Sequence, residues 1–361
     1  MAGPMAFPRI LQLDTERGWR GGQLQVLLLH RGLCRLGIDS TLLCRAGEPL
    51  AVAAAAEGLP VLTVSSGPGF ALRAAWAARR FAATGSAAIL HAHASAAHGI
   101  ARLAVTGRRE PLVATRRVDF ALAPGAGKGW KYGPRTMRCA AVSQAVAKVL
   151  ERGGVPPVRI TVIPDGIEPV PAVPHREGLP TGRLLVLCAA AFADHKGHRF
   201  LLDAWRRIES TGIPATLLLA GRGEREAALR QQATGLQHVQ FLGWRDDLPR
   251  LWASVDVAVL ASVEEGLGST LIDAQCAGVP VVATTAGGIP EVVADGASGV
   301  LVPPRDPAAL AQALLQVLTE QPLRLRLGAG ARTKAQDFLA PLMVQRYLDL
   351  YRTLSIPSTA T

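Results

Sequence analysis

Short apolar, β-branched runs alternate with longer stretches of helical periodicity along the whole chain, which confines the fold to repeated βα units around parallel sheets. In the first half the strand candidates are Arg9–Leu13, Ser40–Cys44, Val61–Val64, Ala88–His91, Leu112–Thr115, Cys139–Val142 and Ile160–Ile163. The second half supplies Leu184–Ala189, Thr216–Ala220, Val239–Leu242, Val255–Leu260, Pro280–Ala283 and Gly299–Val302. Helical patterns such as Leu24–Leu36, Phe70–Phe81, Gln144–Arg152, Phe200–Ile208 and Ala308–Leu318 fall between them. A length of 361 residues suits two domains. Between the two series, Pro164–Gly182 holds five prolines and three glycines, too irregular for either element and suited to a hinge. The expected division is an N-terminal Rossmann-like domain over 1–168, a linker over 169–182 and a C-terminal Rossmann-like domain over 183–340. A terminal helix over 341–361 is expected to return to the N-terminal domain and end in a frayed tail. Two doubly wound sheets facing one another would open a cleft at the carboxyl ends of their strands, where ligands of such sheets bind.

Composition removes several classes. With 49% hydrophobic and 19% charged residues the chain can bury a core, so it is globular rather than disordered. Its five cysteines are odd in number, scattered and never spaced C-x-x-C, which encodes neither a disulfide framework nor a structural zinc site and points to a reducing compartment. Neither a secretory leader nor a membrane span is legible, so a cytoplasmic protein is expected. The net charge of +11 is confined to one half: residues 1–180 carry 22 Lys and Arg against 11 Asp and Glu, whereas residues 181–361 carry 17 of each. An anionic polymer, a membrane surface or a phosphorylated substrate would each suit that basic half.

Chemistry concentrates in Ser262–Gly278, S-V-E-E-G-L-G-S-T-L-I-D-A-Q-C-A-G. A strand ends near Ala261, a turn carrying Gly266, Leu267 and Gly268 follows, and a helix begins near Ser269. Unpaired amides at that helix start are suited to an anion or to sugar hydroxyls. Glu265 and Asp273 stand eight residues apart, so both carboxylates can face one crevice and grip a polyhydroxylated ligand at two points. This stretch resembles the E-x7-E motif of the retaining glycosyltransferases of family four, enzymes of the GT-B architecture with two facing Rossmann-like domains. The resemblance implies that Glu265 engages the donor sugar and that Asp273, one methylene shorter than the usual residue, binds the nucleotide ribose.

Further segments extend the resemblance over nearly the whole chain. In D-H-K-G-H at Asp194–His198, Lys196 is a flexible point charge suited to a departing diphosphate. The family usually has an arginine about five residues upstream, where this chain has Ala189–Ala191. Arg17–Gln23, R-G-W-R-G-G-Q, places Gly21 and Gly22 before an amphipathic helix, letting backbone approach a ligand; the resemblance assigns this loop to the donor phosphates and acceptor. His91 and His93 flank Ala92 in I-L-H-A-H and are expected to point to opposite faces of their strand, so that one faces the crevice. The resemblance selects His93 as the histidine near the reacting carbon. After F-L-G at Phe241–Gly243, it makes Trp244 and Arg245 candidates for the nucleotide base. Arg116 and Arg117 in T-R-R-V-D-F are candidates for an anionic acceptor or the donor phosphates. G-G-I-P-E at Gly287–Glu291 recurs in the family beside the nucleotide, although Pro290 and Glu291 equally make an ordinary helix start.

No D-x-D triplet occurs, so the expected chemistry uses no metal and no cofactor; the nucleoside-diphosphate sugar is a substrate. The resemblance implies retention of configuration at the transferred sugar. The N-terminal domain would receive the acceptor, a cell-envelope glycan, a lipopolysaccharide or a lipid-linked glycan. Clusters at Arg79–Phe81, Arg108–Arg109 and Lys128–Lys131 fit peripheral association with an anionic membrane surface. Rival readings are a GT-B-fold sugar-nucleotide epimerase, a phosphorylase dependent on pyridoxal, and a basic nucleic-acid-binding protein. The epimerase needs acid and base groups at the sugar but no acceptor. No lysine site for pyridoxal is legible, and no recognition motif interleaves the basic residues, so nucleic acid is not an expected partner.

Overall fold

The computed structural model describes residues 7–85, 87–120, 122, 130–133, 137–169, 173–174 and 178–355. It divides into two units: the described residues up to Gly166 together with those from Ala340 onward, and Ile167–Leu339.

The first unit is built on a sheet of β1 (Arg9–Leu13), β2 (Ser40–Arg45), β3 (Val61–Val64), β4 (Ala88–Ala92), β5 (Leu112–Arg116), β6 (Met137–Ala141) and β7 (Ile160–Val162). All neighbours are parallel, in the order β3-β2-β1-β4-β5-β6-β7. Nearly every residue of the central strands is apolar and buried, the pattern of strands covered on both faces. Two of the polar exceptions, Gln12 in β1 and His91 in β4, are paired across the ladder and fully buried. One face is closed by the helices Gly21–Arg35 and Ala340–Ser355, whose Leu29, Leu33, Met343, Tyr347 and Tyr351 share a core with Ile10 and Val113. The two helices meet so tightly that a Cβ at Gly32 would overlap the methyl groups of Val344.

In the second unit the sheet contains β8 (Leu184–Ala189), β9 (Ala215–Ala220), β10 (Val239–Gly243), β11 (Val257–Leu260), β12 (Val281–Thr284) and β13 (Gly299–Val302). These too are all parallel, in the order β10-β9-β8-β11-β12-β13. Trp205, Leu217, Val259, Leu314 and Val317 fill the core between this sheet and the helices His198–Glu209 and Pro307–Thr319.

Both sheets reverse their strand order once, between β1 and β4 and between β8 and β11. There the connections leave toward opposite sides and open a crevice at the carboxyl edge. One boundary departs from the periodicity for a physical reason. The first helix begins at Gly21 rather than Leu24, because Gln23 accepts from the Arg20 amide at 3.0 Å and donates to Asp14 at the end of β1 at 3.2 Å. Side-chain bonds thus hold a first turn that two glycines would otherwise disfavour.

Candidate functional site

In the second unit, the loops that follow β8 and β11 meet at the reversal point. Gly197 has a φ of 67°, and a Cβ there would overlap the Ala261 carbonyl, so only glycine lets the two loops approach. The Val263 amide donates to the His195 carbonyl at 2.7 Å, locking the approach. Lys196 is thereby delivered to Glu265: its ammonium lies 2.6 Å from Oε2, and both side chains are mostly shielded from water. Ser262 donates to the same oxygen at 2.9 Å, and the Ser262 carbonyl is itself held by Thr284 at 2.6 Å. The Gly288 amide donates to the Glu265 carbonyl at 2.9 Å, which brings the Gly287–Glu291 segment against the same turn. Gly268, with a φ of 87°, caps the helix Ser269–Cys276, whose Thr270 hydroxyl reaches back to the Ala189 carbonyl at 3.2 Å. Glu265, Lys196 and the glycine turn Gly266–Gly268 therefore share one locality.

Asp273 lies on the same helix, and its carboxyl makes no hydrogen bond among the described residues. Burial alone pushes its pKa up to about 7, so it is poised between the neutral and ionised forms at neutral pH. Trp244 stands at the end of β10 and is 56% exposed. Its neighbour Arg245 is gripped by Asp247 through two bonds of 2.7 and 2.6 Å, which hold the guanidinium within its own loop.

Where the family arginine is missing, the loop after β9 comes in. The Phe192 amide donates to the Arg222 carbonyl at 2.9 Å and the Phe192 carbonyl accepts from the Arg225 amide at 3.0 Å. The Arg225 guanidinium lies 2.9 Å from Asp194, two residues before Lys196. Sequence spacing could not find this cation, because it arrives from a different βα connection.

In the first unit the reversal point carries the histidines. They do not diverge as expected: residues two apart in a strand share a face, and the His91 and His93 rings lie 3.9 Å apart between centroids. His93 Nε2 lies 2.5 Å from Gln12 Oε1, and His91 bonds Tyr351 at 2.6 Å and Thr115 at 2.7 Å. Burial, with the positive charge of Arg117 as a further cause, holds both rings well below the ordinary histidine pKa, so they are neutral. Arg117 is no solvated edge. It pairs with Asp165 at 3.0 Å and donates to the His93 carbonyl at 3.3 Å, leaving Nη2 without a partner among the described residues. Burial alone would lower its pKa, but Asp165 holds it above the ordinary arginine value. Arg116 instead turns to the Phe120 carbonyl.

Gly21 and Gly22 need neither a positive φ nor the room: a Cβ at either position meets open space. The protein's own packing therefore does not require glycine there. No motif singles out Gln12, Asp165, Tyr347 or Tyr351. The interruption of the β1 apolar run by Gln12 and the i, i+4 spacing of the two tyrosines are the signals that could have found three of them.

The basic clusters do not behave alike. Arg79 is spent on the carbonyls of Ala104 and Thr106, and Arg108 pairs with Glu110. Lys128 and Gly129 lie outside the described residues, and Lys131 is bound to Ser95. Leu72 and Trp76, one helical turn apart on Phe70–Ala83, are 68% and 62% exposed. The Arg80 guanidinium lies 5.6 Å from the Trp76 ring, and Arg102 stands at the same distance from exposed Trp130. Among the described residues no helix is long and apolar enough to cross a membrane, and no group of three or more His, Cys, Asp or Glu side chains could hold a metal ion.

Fold and site define a two-unit α/β enzyme of the GT-B class. The family model described as glycosyltransferase family 4 matches residues 19–170, and that described as glycosyl transferases group 1 matches residues 183–320. A phosphatidyl-myo-inositol mannosyltransferase of Mycobacterium leprae is 30% identical over 290 residues, covering 77% of this chain and 76% of that relative. The lipopolysaccharide core biosynthesis glycosyltransferase LpsE of Rhizobium meliloti is 32% identical over 175 residues, 47% of this chain and 50% of the relative. The crystal structure of Anabaena HepE in complex with UDP and glucose matches with a TM-score of 0.84 at 21% identity, covering 96% of this chain and all of the other. The chain belongs to the glycosyltransferases, in the group resembling family four.

Asp273 generates a prediction about the ligand-free protein. A carboxyl whose folded pKa is raised to about 7 costs stability as pH rises from the unfolded value near 4 through 7. Asp273→Asn is expected to raise Tm by several degrees at pH 8, with the gain shrinking toward pH 5. Thermal unfolding across that range checks it, and a difference independent of pH would contradict the assignment.

Proposed function

We propose that the chain is a retaining glycosyltransferase that moves a sugar from a nucleoside-diphosphate sugar to a cell-envelope glycan, a lipopolysaccharide or a lipid-linked acceptor. The observation that carries this reading is the Lys196–Glu265 pair at 2.6 Å, set beside a glycine turn and a helix start at the reversal point of the second sheet. A cation and free helix amides suit a diphosphate, and a carboxylate held between a lysine and a serine suits sugar hydroxyls. The names of the mannosyltransferase and lipopolysaccharide-core relatives support sugar transfer to a lipid or lipopolysaccharide acceptor, and the binding of UDP-glucose by Anabaena HepE supports the donor class.

In this reading the bond between the anomeric carbon and the diphosphate oxygen breaks, and the acceptor oxygen bonds to the same face of the sugar. The acceptor proton passes to the departing phosphate. Lys196 and the amides at Ser269–Cys276 compensate the growing charge, with Arg225 taking the place of the missing upstream arginine, so the reaction proceeds without a metal. Asp273 receives the ribose hydroxyls, and exposed Trp244 borders the base. In the first unit, His93 and Gly21–Gly22 are the ligand-contact candidates at the carboxyl edge of the sheet. Because Arg117 is committed to Asp165 and His93, its part is to hold His93, with Nη2 left for an anionic group on the acceptor.

The same proposal places the enzyme on the cytoplasmic face of the inner membrane. Leu72 and Trp76 form an apolar ridge beside Arg80, a charge and shape complement to an anionic lipid surface.

Glu265→Gln keeps an acceptor for Lys196 and Ser262, so it is expected to fold normally while transfer falls by about 10²–10³-fold, the scale of a lost transition-state contact. Lys196→Ala is expected to lower turnover of the donor. Release of nucleoside diphosphate from a panel of UDP-, GDP- and ADP-sugars, with extracted envelope lipid as acceptor, measures both; unchanged rates in the two variants would overturn the reading. Flotation with phosphatidylglycerol vesicles tests the surface. The wild type is expected to float at low salt and Trp76→Ala/Arg80→Ala to remain at the bottom, whereas equal flotation of the two would remove this helix from the interface.

A further inference from the structure

Six side chains of the first unit form an unbroken run of hydrogen bonds: His93, Gln12, Tyr351, His91, Thr115 and Tyr347. Its direction follows from chemistry. The Gln12 amide oxygen can only accept, so the proton in the 2.5 Å contact belongs to His93 Nε2. The other end of that amide donates to the Tyr351 hydroxyl at 3.3 Å, and the same hydroxyl lies 2.6 Å from His91 Nδ1. The neutral His91 ring bonds Thr115 through its other nitrogen, Nε2, at 2.7 Å. Thr115 completes the run to Tyr347 at 2.8 Å. The donor is fixed at the two bonds of Gln12, from His93 to the amide oxygen and from the amide nitrogen to Tyr351.

The run has a consequence at its open end. His93 is 6% exposed, and with its one proton on Nε2 its Nδ1 is a bare lone pair. That atom has no partner among the described residues, although a buried acceptor is costly to leave unpaired. We propose that the helix Ala340–Ser355, acting through Tyr351 and Gln12, is a positioning element that fixes His93 in the Nε2–H tautomer and so presents Nδ1 as an acceptor for a hydroxyl of a ligand at the carboxyl edge of the first sheet. That this ligand is a substrate of sugar transfer rests on the glycosyltransferase reading above; the tautomer does not. This helix, remote in sequence from every motif, thereby sets which hydrogen-bonding group His93 offers. Tyr347 and Tyr351 stand on one face of it, one helical turn apart, and bracket the His91 ring at centroid distances of 5.0 and 5.8 Å.

The test separates the two parts. In ligand-free enzyme carrying ¹⁵N-labelled histidine, long-range ¹H–¹⁵N spectra report which ring nitrogen bears the proton. For His93, identified by its loss in His93→Gln, a protonated Nε2 and a bare Nδ1 are expected. Tyr351→Phe removes the hydroxyl without changing the ring, and His93 is expected to become a mixture of tautomers. In the same variant, kcat/KM for the sugar nucleotide most active in the panel should fall about fivefold to tenfold. The Kd of the corresponding nucleoside diphosphate, which lacks the sugar, should stay within about twofold. A His93 protonated on Nδ1 in the wild type, or a His93 spectrum unaltered by Tyr351→Phe, would overturn the positioning role even if sugar transfer is observed. The expected spectra with no sugar nucleotide turned over by the wild type would leave the relay standing and sink the glycosyltransferase reading on which its use depends.

Discussion

The contact between Gly197 and the Ala261 carbonyl is the constraint from which the rest of the second unit's site follows. Two loops from adjacent parallel strands cannot normally pass this close, since a side chain on either would keep them apart. A left-handed glycine removes the obstacle, and the His195 carbonyl then ties the loops together through Val263. Lys196 follows the glycine's conformation into the crevice and meets Glu265, whose backbone is fixed from the other side by Gly288. The ion pair is thus an outcome of backbone geometry.

In the first unit, the corresponding reversal point is organised by buried polar groups. Gln12 and His91 sit at the same register of β1 and β4, where an apolar pair would be the simpler choice. Buried polar groups are stable only when fully paired, and here Tyr351 reaches His91 from a helix 260 residues further along the chain. The same pairing holds His93 against Gln12 and Arg117 against Asp165. The close approach at Gly32 and Val344 keeps the supplying helix in register with its neighbour.

Much of this architecture is legible in the amino-acid sequence alone. The alternation of strand and helix patterns reflects burial on both sheet faces, a local property, and the elements fall where the periodicity puts them to within a few residues. The locality of Glu265, Lys196 and the glycine turn is legible because motif residues follow strand ends, which doubly wound sheets gather at one edge. What spacing cannot reveal are relations between distant stretches of the chain: Arg225 approaching Asp194, Asp165 claiming Arg117, and the tyrosines closing over His91. The histidine pair shows a different shortfall. The two-residue strand period places His91 and His93 together, and their proximity is what lets one orient the other's surroundings. Runs of basic residues are the least informative feature, since several cations of those runs are spent on carbonyls and carboxylates of their own unit.

The central claim is that the reversal point of the second sheet holds the nucleotide end of an activated sugar. A crystal structure of the protein with a hydrolysis-resistant nucleoside-diphosphate sugar measures this most directly. The account predicts the diphosphate within hydrogen-bonding distance of Lys196 Nζ and the amides at Ser269–Cys276, with a sugar hydroxyl on Glu265. A well-ordered ligand bound elsewhere on the chain, with the Lys196–Glu265 pair undisturbed and uncontacted, would contradict it.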